Sequence, residues 1–178
     1  KSFNYTSGRI ESKTLYSPST SGDTIRFAAR LKLPEGEGLW PAFWSYGDPW
    51  PTQGEIDIIE YRGGEPEKYI TNFFYGTETN MPLTDSGQQT KIYTHSESLA
   101  NKFHVYELEW TKNVLVMKFD GQVLRTYGVN EFQYVDDMFN KQQKIVLNLA
   151  VGGDFFQNLN TNAIPDESFL IVDWVKVY

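Results

Sequence analysis

The feature that most constrains this chain is its rhythm: short period-two runs of apolar and polar residues, separated by Gly, Pro, Asn and Asp. About ten such runs read as strands, at 8–15, 24–33, 39–46, 54–62, 68–75, 103–111, 114–120, 123–127, 143–151 and 169–178. In one of them Val114, Val116 and Lys118 alternate with Leu115, Met117 and Phe119. The following Asp120-Gly121 pair favours a primed two-residue turn, so Phe119 to Val123 reads as a tight hairpin. The segment 130–142 carries Phe132, Val135 and Phe139 at roughly helical spacing and fits either a short helix or a loop with buried rings. Many short strands, polar turns and little helix predict an all-β sandwich or barrel. No repeat, low-complexity tract or linker interrupts residues 1–178, which predicts a single domain.

Composition narrows the function classes. Aromatic residues reach 16%, with 5 Trp, 11 Tyr and 12 Phe, which suits packed β structure and equally suits a cleft where sugar rings stack. A net charge of −7 with no Lys/Arg cluster argues against a nucleic-acid partner and favours a neutral ligand. With no cysteine, disulfides and Cys-ligated metals are excluded. No apolar run reaches membrane-spanning length, and the opening Lys1-Ser-Phe-Asn-Tyr5 is not a signal peptide, which leaves the compartment open.

The chemistry concentrates in Gly54-Glu55-Ile56-Asp57-Ile58-Ile59-Glu60-Tyr61. In a regular strand Glu60 would point away from Glu55 and Asp57 into an apolar layer, where an unpaired carboxylate is costly. A β-bulge at Ile58-Ile59 would return Glu60 to the face of the other two acids and keep the isoleucines inside. Glu55 and Glu60 would then stand about four strand steps apart, roughly 13 Å between Cα atoms. Side chains leaning inward from there can reach the ~5–5.5 Å carboxyl separation of a retaining glycosidase. Three mutually repelling acids on one face suit catalysis; the plainer reading is a solvated face with three unrelated acids.

Glu55-Ile-Asp-Ile-Ile-Glu60 resembles the signature of glycoside hydrolase family 16 in its bulged, laminarinase-like form. Tyr5-Thr-Ser-Gly-Arg-Ile10, Arg30-Leu-Lys-Leu-Pro34 and Gly38-Leu-Trp-Pro-Ala-Phe-Trp44 resemble further blocks of that family. So do Phe103 to Trp110, Leu147 to Gly153 and Val172 to Tyr178, in the family's order. The resemblance implies a jelly-roll sandwich of two curved antiparallel sheets, concanavalin A-like, with substrate in the concave cleft. It further implies a secreted, periplasmic or cell-surface enzyme that hydrolyses internal linkages of a β-1,3- or mixed-linkage β-glucan. Glu55 would be the nucleophile, Glu60 the general acid/base and Asp57 the assisting carboxylate, with no cofactor required. Other readings are endo-hydrolysis of a β-galactan or mucin-type O-glycan, transglycosylation, and non-catalytic carbohydrate binding.

Trp40, Trp44 and Trp50 precede the acidic strand and are candidate sugar platforms, whereas Trp110 and Trp174 sit in apolar strands and read as core. Arg30 is a candidate to neutralise the acids, or forms a surface ion pair; Asn72 is a candidate for a sugar hydroxyl, or for a strand-end hydrogen bond. His104 reads as structural. Thr71-Asn-Phe-Phe-Tyr-Gly76 places Phe74 where laminarinase-like members usually carry His, and Thr71-Asn72 is closer to the lichenase and xyloglucan-active branches. Family members usually have further N-terminal strands before the Tyr5 block. Their lack here would leave an uncovered strand edge open to association. A structural calcium ion is also implied by the resemblance, with Asp173 in the position of a ligand.

Overall fold

The alternating runs form eleven antiparallel strands in a computed structural model that describes residues 5–83, 89–132 and 134–178. They are β1 (Gly8–Glu11), β2 (Thr24–Lys32), β3 (Leu39–Tyr46), β4 (Glu55–Tyr61), β5 (Lys68–Phe74) and β6 (Lys91–Thr94). After these come β7 (Phe103–Thr111), β8 (Val114–Phe119), β9 (Gln122–Gly128), β10 (Lys144–Val151) and β11 (Ile171–Val177). One sheet has the order β1-β10-β3-β4-β5-β6 and the other β11-β2-β7-β8-β9. This is the expected all-β sandwich.

The inner faces bury one continuous core. From the six-stranded sheet come Phe43, Ile56, Ile58, Ile59, Tyr61 and Phe73; Phe27, Leu31, Tyr106, Leu108, Trp110 and Leu115 come from the other. Burying an Ile or Leu side chain contributes about 1.5–3 kcal/mol, so this layer holds the sheets together and leaves their outer faces free for polar work. Trp110 is fully buried, as expected, but Trp174 is half-buried with the Lys176 ammonium over its ring. The difference follows from position: β11 is an edge strand whose Ile171, Val172 and Val175 are exposed.

The strand boundaries fall close to the sequence expectations, with two departures. The run at 8–15 is a regular strand only to Glu11: the Ser12 N–H still reaches the Ile145 carbonyl at 2.9 Å, but Ser12 Oγ takes the Ile145 N–H in place of a backbone carbonyl and donates to the Thr14 carbonyl. The four-residue β6 was not anticipated; Lys91-Ile-Tyr-Thr94 is too short to show a period. The 130–142 segment yields one helical turn, α1 (Tyr134–Asp137), whose Val135 plugs the core; residue 133 lies outside the described set. The expected hairpin forms with Asp120 and Gly121 both at positive φ, 47° and 79°. Asp120 also binds the His104 ring at 2.8 Å, and His104 stacks on Phe119, which gives that histidine its structural role.

At the open end of the sandwich, Ile10 of β1 and Val175 of β11 are exposed beside Ile145, Leu147 and Val177. Among the described residues, no helix is long and apolar enough to cross a membrane.

Candidate active site

Gly54 starts the acidic strand. Its φ is +80°, and a Cβ there would lie 2.6 Å from Met138 Sδ and 2.7 Å from Gln143 Nε2, so the position requires glycine. The buried Gln143 side chain accepts from Ser45 Oγ at 2.7 Å and donates to the Gln53 carbonyl at 2.9 Å. That bridge ties the turn before β4 to the C-terminal end of β3, and fixes where Glu55 begins.

Along β4 the pairing with β3 runs Tyr46–Glu55, Ser45–Ile56 and Trp44–Asp57, then skips to Phe43–Ile59 and Ala42–Glu60. The pairing with β5 is likewise irregular between Asp57 and Glu60. The extra residue is Ile58, and both Ile58 and Ile59 are buried. The bulge therefore does what the burial argument requires. Glu55, Asp57 and Glu60 share the outer face of the six-stranded sheet and line one cleft. Thr71 lies on β5 beside the bulge; its hydroxyl meets the Tyr127 hydroxyl of the second sheet at 2.8 Å, which pins this segment to the core.

Indole rings form one wall. Trp40 Nε1 donates to Glu60 Oε1 at 3.1 Å, and Trp44 Nε1 donates to Asn148 Oδ1 at 2.7 Å. Trp44 also stacks on Tyr46 at 4.9 Å, and the Arg9 guanidinium covers both rings. On the far side of Glu60 a second hollow is lined by Arg62, Lys68, Ile70 and Ile92, so the cleft face continues past this carboxyl in both directions.

Burial sets the protonation of the cluster. It pushes Glu55 up to about 7, with the charge of Glu60 adding to the rise and Trp50 and Arg9 opposing it. Glu60 is pushed up to about 7, again chiefly by burial, against the Trp40 hydrogen bond and the Arg62 charge. Asp57, 4% exposed, is held well above the usual carboxylate range by burial and then by the charges of Glu55 and Glu60. Near neutral pH the three acids therefore retain protons that solvated carboxylates would have released. A site with one ionised carboxylate and one protonated neighbour can act as base or nucleophile and as acid together.

The other sequence candidates divide. Trp40 and Trp44 line the cleft with the acids. Trp50 packs against Phe74 at 6.1 Å; its buried Nε1 draws on Glu55 without reaching hydrogen-bond geometry. Phe74 itself is the cross-strand neighbour of Glu55. Asn72 is the cross-strand neighbour of Asp57, but it is buried and its Oδ1 accepts the Phe73 N–H, the bland strand hydrogen bond.

Arg30 is a correction. It lies on β2 of the other sheet, pairs with Asp173 at 2.6 Å and covers Phe103, so it does not reach the acids. The same contact bears on calcium. Asp173 is occupied by a guanidinium, and among the described residues no group of three or more His, Cys, Asp or Glu converges on a metal position.

Arg9, Tyr46, Asn148 and Phe155 were not singled out from the sequence. Arg9 carried a signal, a charged side chain inside a strand; Phe155 carried none, because its loop returns to the site only in three dimensions. A further hollow lies between Tyr5–Gly8 and the 164–169 loop, but its acids, Asp166 and Glu167, are exposed neighbours in sequence and form no buried pair.

Comparison with known proteins agrees with this geometry. The chain is 30% identical over 188 residues to a glucan endo-1,3-beta-glucosidase A1 of Niallia circulans, covering 98% of this chain and 26% of that protein. It is 34% identical over 144 residues to a glucan endo-1,3-beta-glucosidase of Cryptopygus antarcticus, covering 74% of this chain and 52% of that protein. The X-ray structure of an endo-beta-1,3-glucanase from Pyrococcus furiosus superposes with a TM-score of 0.80 at 31% identity, covering 96% of this chain and 65% of that one. The chain thus spans between a quarter and two-thirds of the length of these relatives. The family model of glycosyl hydrolases family 16 matches residues 2–169, and the chain belongs to that family.

Proposed function

We propose that this chain carries the catalytic site of a retaining endo-glycosidase acting on β-1,3- or mixed-linkage β-glucan. The observation that carries the reading is the bulged strand, which sets Glu55 and Glu60 on one face with Asp57 between them, in a cleft walled by indole rings. The names of the relatives favour a β-1,3-linked glucan. Hollows on both sides of Glu60 suit a chain that passes through rather than ends there.

In the proposed double displacement, ionised Glu55 attacks the anomeric carbon while protonated Glu60 gives its proton to the departing glycosidic oxygen. The C–O bond to the leaving sugar breaks as the glycosyl–Glu55 ester forms. Glu60, now ionised, takes a proton from water, whose oxygen displaces Glu55 and regenerates both groups. Asp57, kept protonated, donates a hydrogen bond toward the nucleophile and does not add a third charge. A sugar hydroxyl in place of water would give transglycosylation by the same intermediate. All three groups are carboxyls, so the steps need no cofactor. A polymeric substrate places the enzyme outside the cytoplasm, as a secreted, periplasmic or cell-surface protein.

The test is product analysis after incubation with laminarin, barley β-glucan, xyloglucan, agarose and a mucin O-glycan preparation. Oligosaccharides from laminarin or barley glucan are expected; products from agarose or mucin alone would move the reading to a galactose-containing polymer. Binding without any product would favour a glycan-binding protein. Glu55→Ala should abolish turnover with the fold intact, and azide should restore it as a glycosyl azide of inverted configuration. Glu60→Ala should lose most activity on glucan and far less on a substrate with a good leaving group.

A further inference from the structure

Trp40 was expected to offer its ring to sugar, yet one face of it is already covered. The Phe155 ring stacks on it at 4.4 Å between centroids and 14° between planes. Phe155 belongs to the loop that leaves β10 through Gly152 and Gly153, both at positive φ, and its outer face is covered in turn by the Arg62 guanidinium at 4.0 Å. Arg62 Nε also donates to the Phe155 carbonyl at 3.1 Å, and its Nη1 pairs with Glu65 at 3.4 Å. The result is a layered stack in which guanidinium, phenyl and indole lie one upon another, ending in the hydrogen bond from Trp40 Nε1 to Glu60 Oε1.

A plain packing cluster would not need this order. Arg62 follows Glu60 by two residues, immediately past the end of β4, so the residue that secures the far end of the stack leaves directly from the strand that carries the carboxyl at its near end. A charge held flat on a ring and bonded to that ring's own backbone fixes the loop in position as well as direction.

We propose that Arg62 is a positioning residue for Glu60: it clamps Phe155 onto Trp40 and so holds the indole N–H on the carboxyl that acts as acid. The proposal rests on the reading of Glu60 as acid/base. It leaves Trp40 with two duties, the sugar side of its ring facing the cleft and its N–H orienting the acid.

Among the described residues, the groups that face Glu60 are few. Glu55 and Asp57 lie on its own strand. Arg62, Glu65, Lys68 and Tyr69 line the hollow beyond it, and Arg9 acts from β1 through Glu55. From β3 and β10 come Trp40, Ala42, Asn148 and Ala150, none of them charged. Lys68 pairs with Glu65 at 3.3 Å, and of the cations here Arg62 is the one that lowers Glu60. Removing Arg62 therefore raises the Glu60 pKa directly, and raises it again if the Trp40 hydrogen bond loosens.

The experiment follows the Glu60 carboxyl carbon by NMR in protein labelled at glutamate Cδ, with Glu60→Gln to assign the signal, alongside kcat and KM. In Arg62→Gln the Glu60 midpoint is expected to rise by about half a unit to one unit, and the alkaline limb of kcat to move up with it. Turnover at neutral pH should fall roughly tenfold with KM within about twofold, since a displaced acid costs rate and not ground-state binding. Arg62→Lys should restore the midpoint in part through its charge, without the planar grip. Phe155→Ala should reproduce the kcat loss, and Phe155→Trp, which keeps a stacked ring, should not. An unmoved midpoint in both Arg62→Gln and Phe155→Ala would overturn the proposal, as would a rise in KM alone. Because the titration needs no substrate, wild-type protein that cleaves no glucan would count against the proposed function and leave this test standing.

Discussion

Trp44 holds Asn148 through a 2.7 Å hydrogen bond, and the same indole is the cross-strand neighbour of Asp57 on the opposite side. One ring thus links the edge of the cleft, on β10, to the middle of the acidic strand. The Arg9 guanidinium caps the ring it shares with Tyr46. These contacts hold the indole against turning away, which makes it a preformed platform.

Replacing it should therefore cost binding more than chemistry. For Trp44→Ala a rise in KM of roughly three- to tenfold is expected, equivalent to about 0.5–1.5 kcal/mol of ring contact, with kcat little changed. Steady-state kinetics on laminarin oligosaccharides check it. A kcat loss of a hundredfold would instead mean that Trp44 positions an acid.

The carboxyl cluster should be bought at the expense of stability, and pH reveals it. Glu55 and Glu60 rise from 4.5 in an unfolded chain to about 7 in the fold, so between those values the folded chain holds protons that the unfolded chain has released. Stability from these groups is fully present below about 4.5 and is lost as pH rises toward 7, by on the order of 1–3 kcal/mol for each. Glu55→Gln should flatten that decline and melt higher than wild type at pH 8, by roughly 2–4 °C for each kcal/mol. Calorimetry across pH 4–8 reads both. A lower melting temperature for Glu55→Gln at pH 8 would contradict the burial argument.

Gly54→Ala should be severe for a small change. It places a Cβ at φ +80° and against Met138 and Gln143, so a loss of about 2 kcal/mol or more is expected. The turn also sets Glu55, so kcat should fall even where the protein remains folded, and urea unfolding with kinetics separates the two effects.

Arg30→Ala is the opposite case. Its pair with Asp173 is exposed, 38% and 45% at the two side chains, and lies on the sheet away from the acids. Stability should change by about 1 kcal/mol at most, and kcat and KM should not move. An altered pH optimum would place Arg30 back among the site residues.

The contrast between Gly54 and Arg30 shows what a sequence can and cannot carry. The acidic strand was legible because a buried lone carboxylate is costly enough to force a bulge, and Ile58-Ile59 was the place that could take it. Strand existence was legible wherever alternation lasted, as in β7 and β8, and not in the four residues of β6. What period-two alternation does not encode is which sheet a strand joins. β2 precedes β3 in sequence, yet pairs with β7 and β11 across the core, and that took Arg30 out of the site. The Phe155 stack was hidden for a related reason. Its contacts with Trp40 and Arg62 span 115 and 93 positions, and nothing in the loop's composition announces them.

The bulge at Ile58 has a consequence for how such a strand tolerates change in length. If that single residue were deleted, Glu55-Ile-Asp-Ile-Glu-Tyr would alternate as a regular strand. The three acids would still share one face, and the tyrosine would still fall in the core. The strand can therefore lose a residue without inverting its chemistry, whereas a deletion elsewhere along its length would turn the acids against the core. Length variation among proteins built on this plan is thus expected to concentrate between the second acid and the third, at the one point where the parity of the strand is already broken.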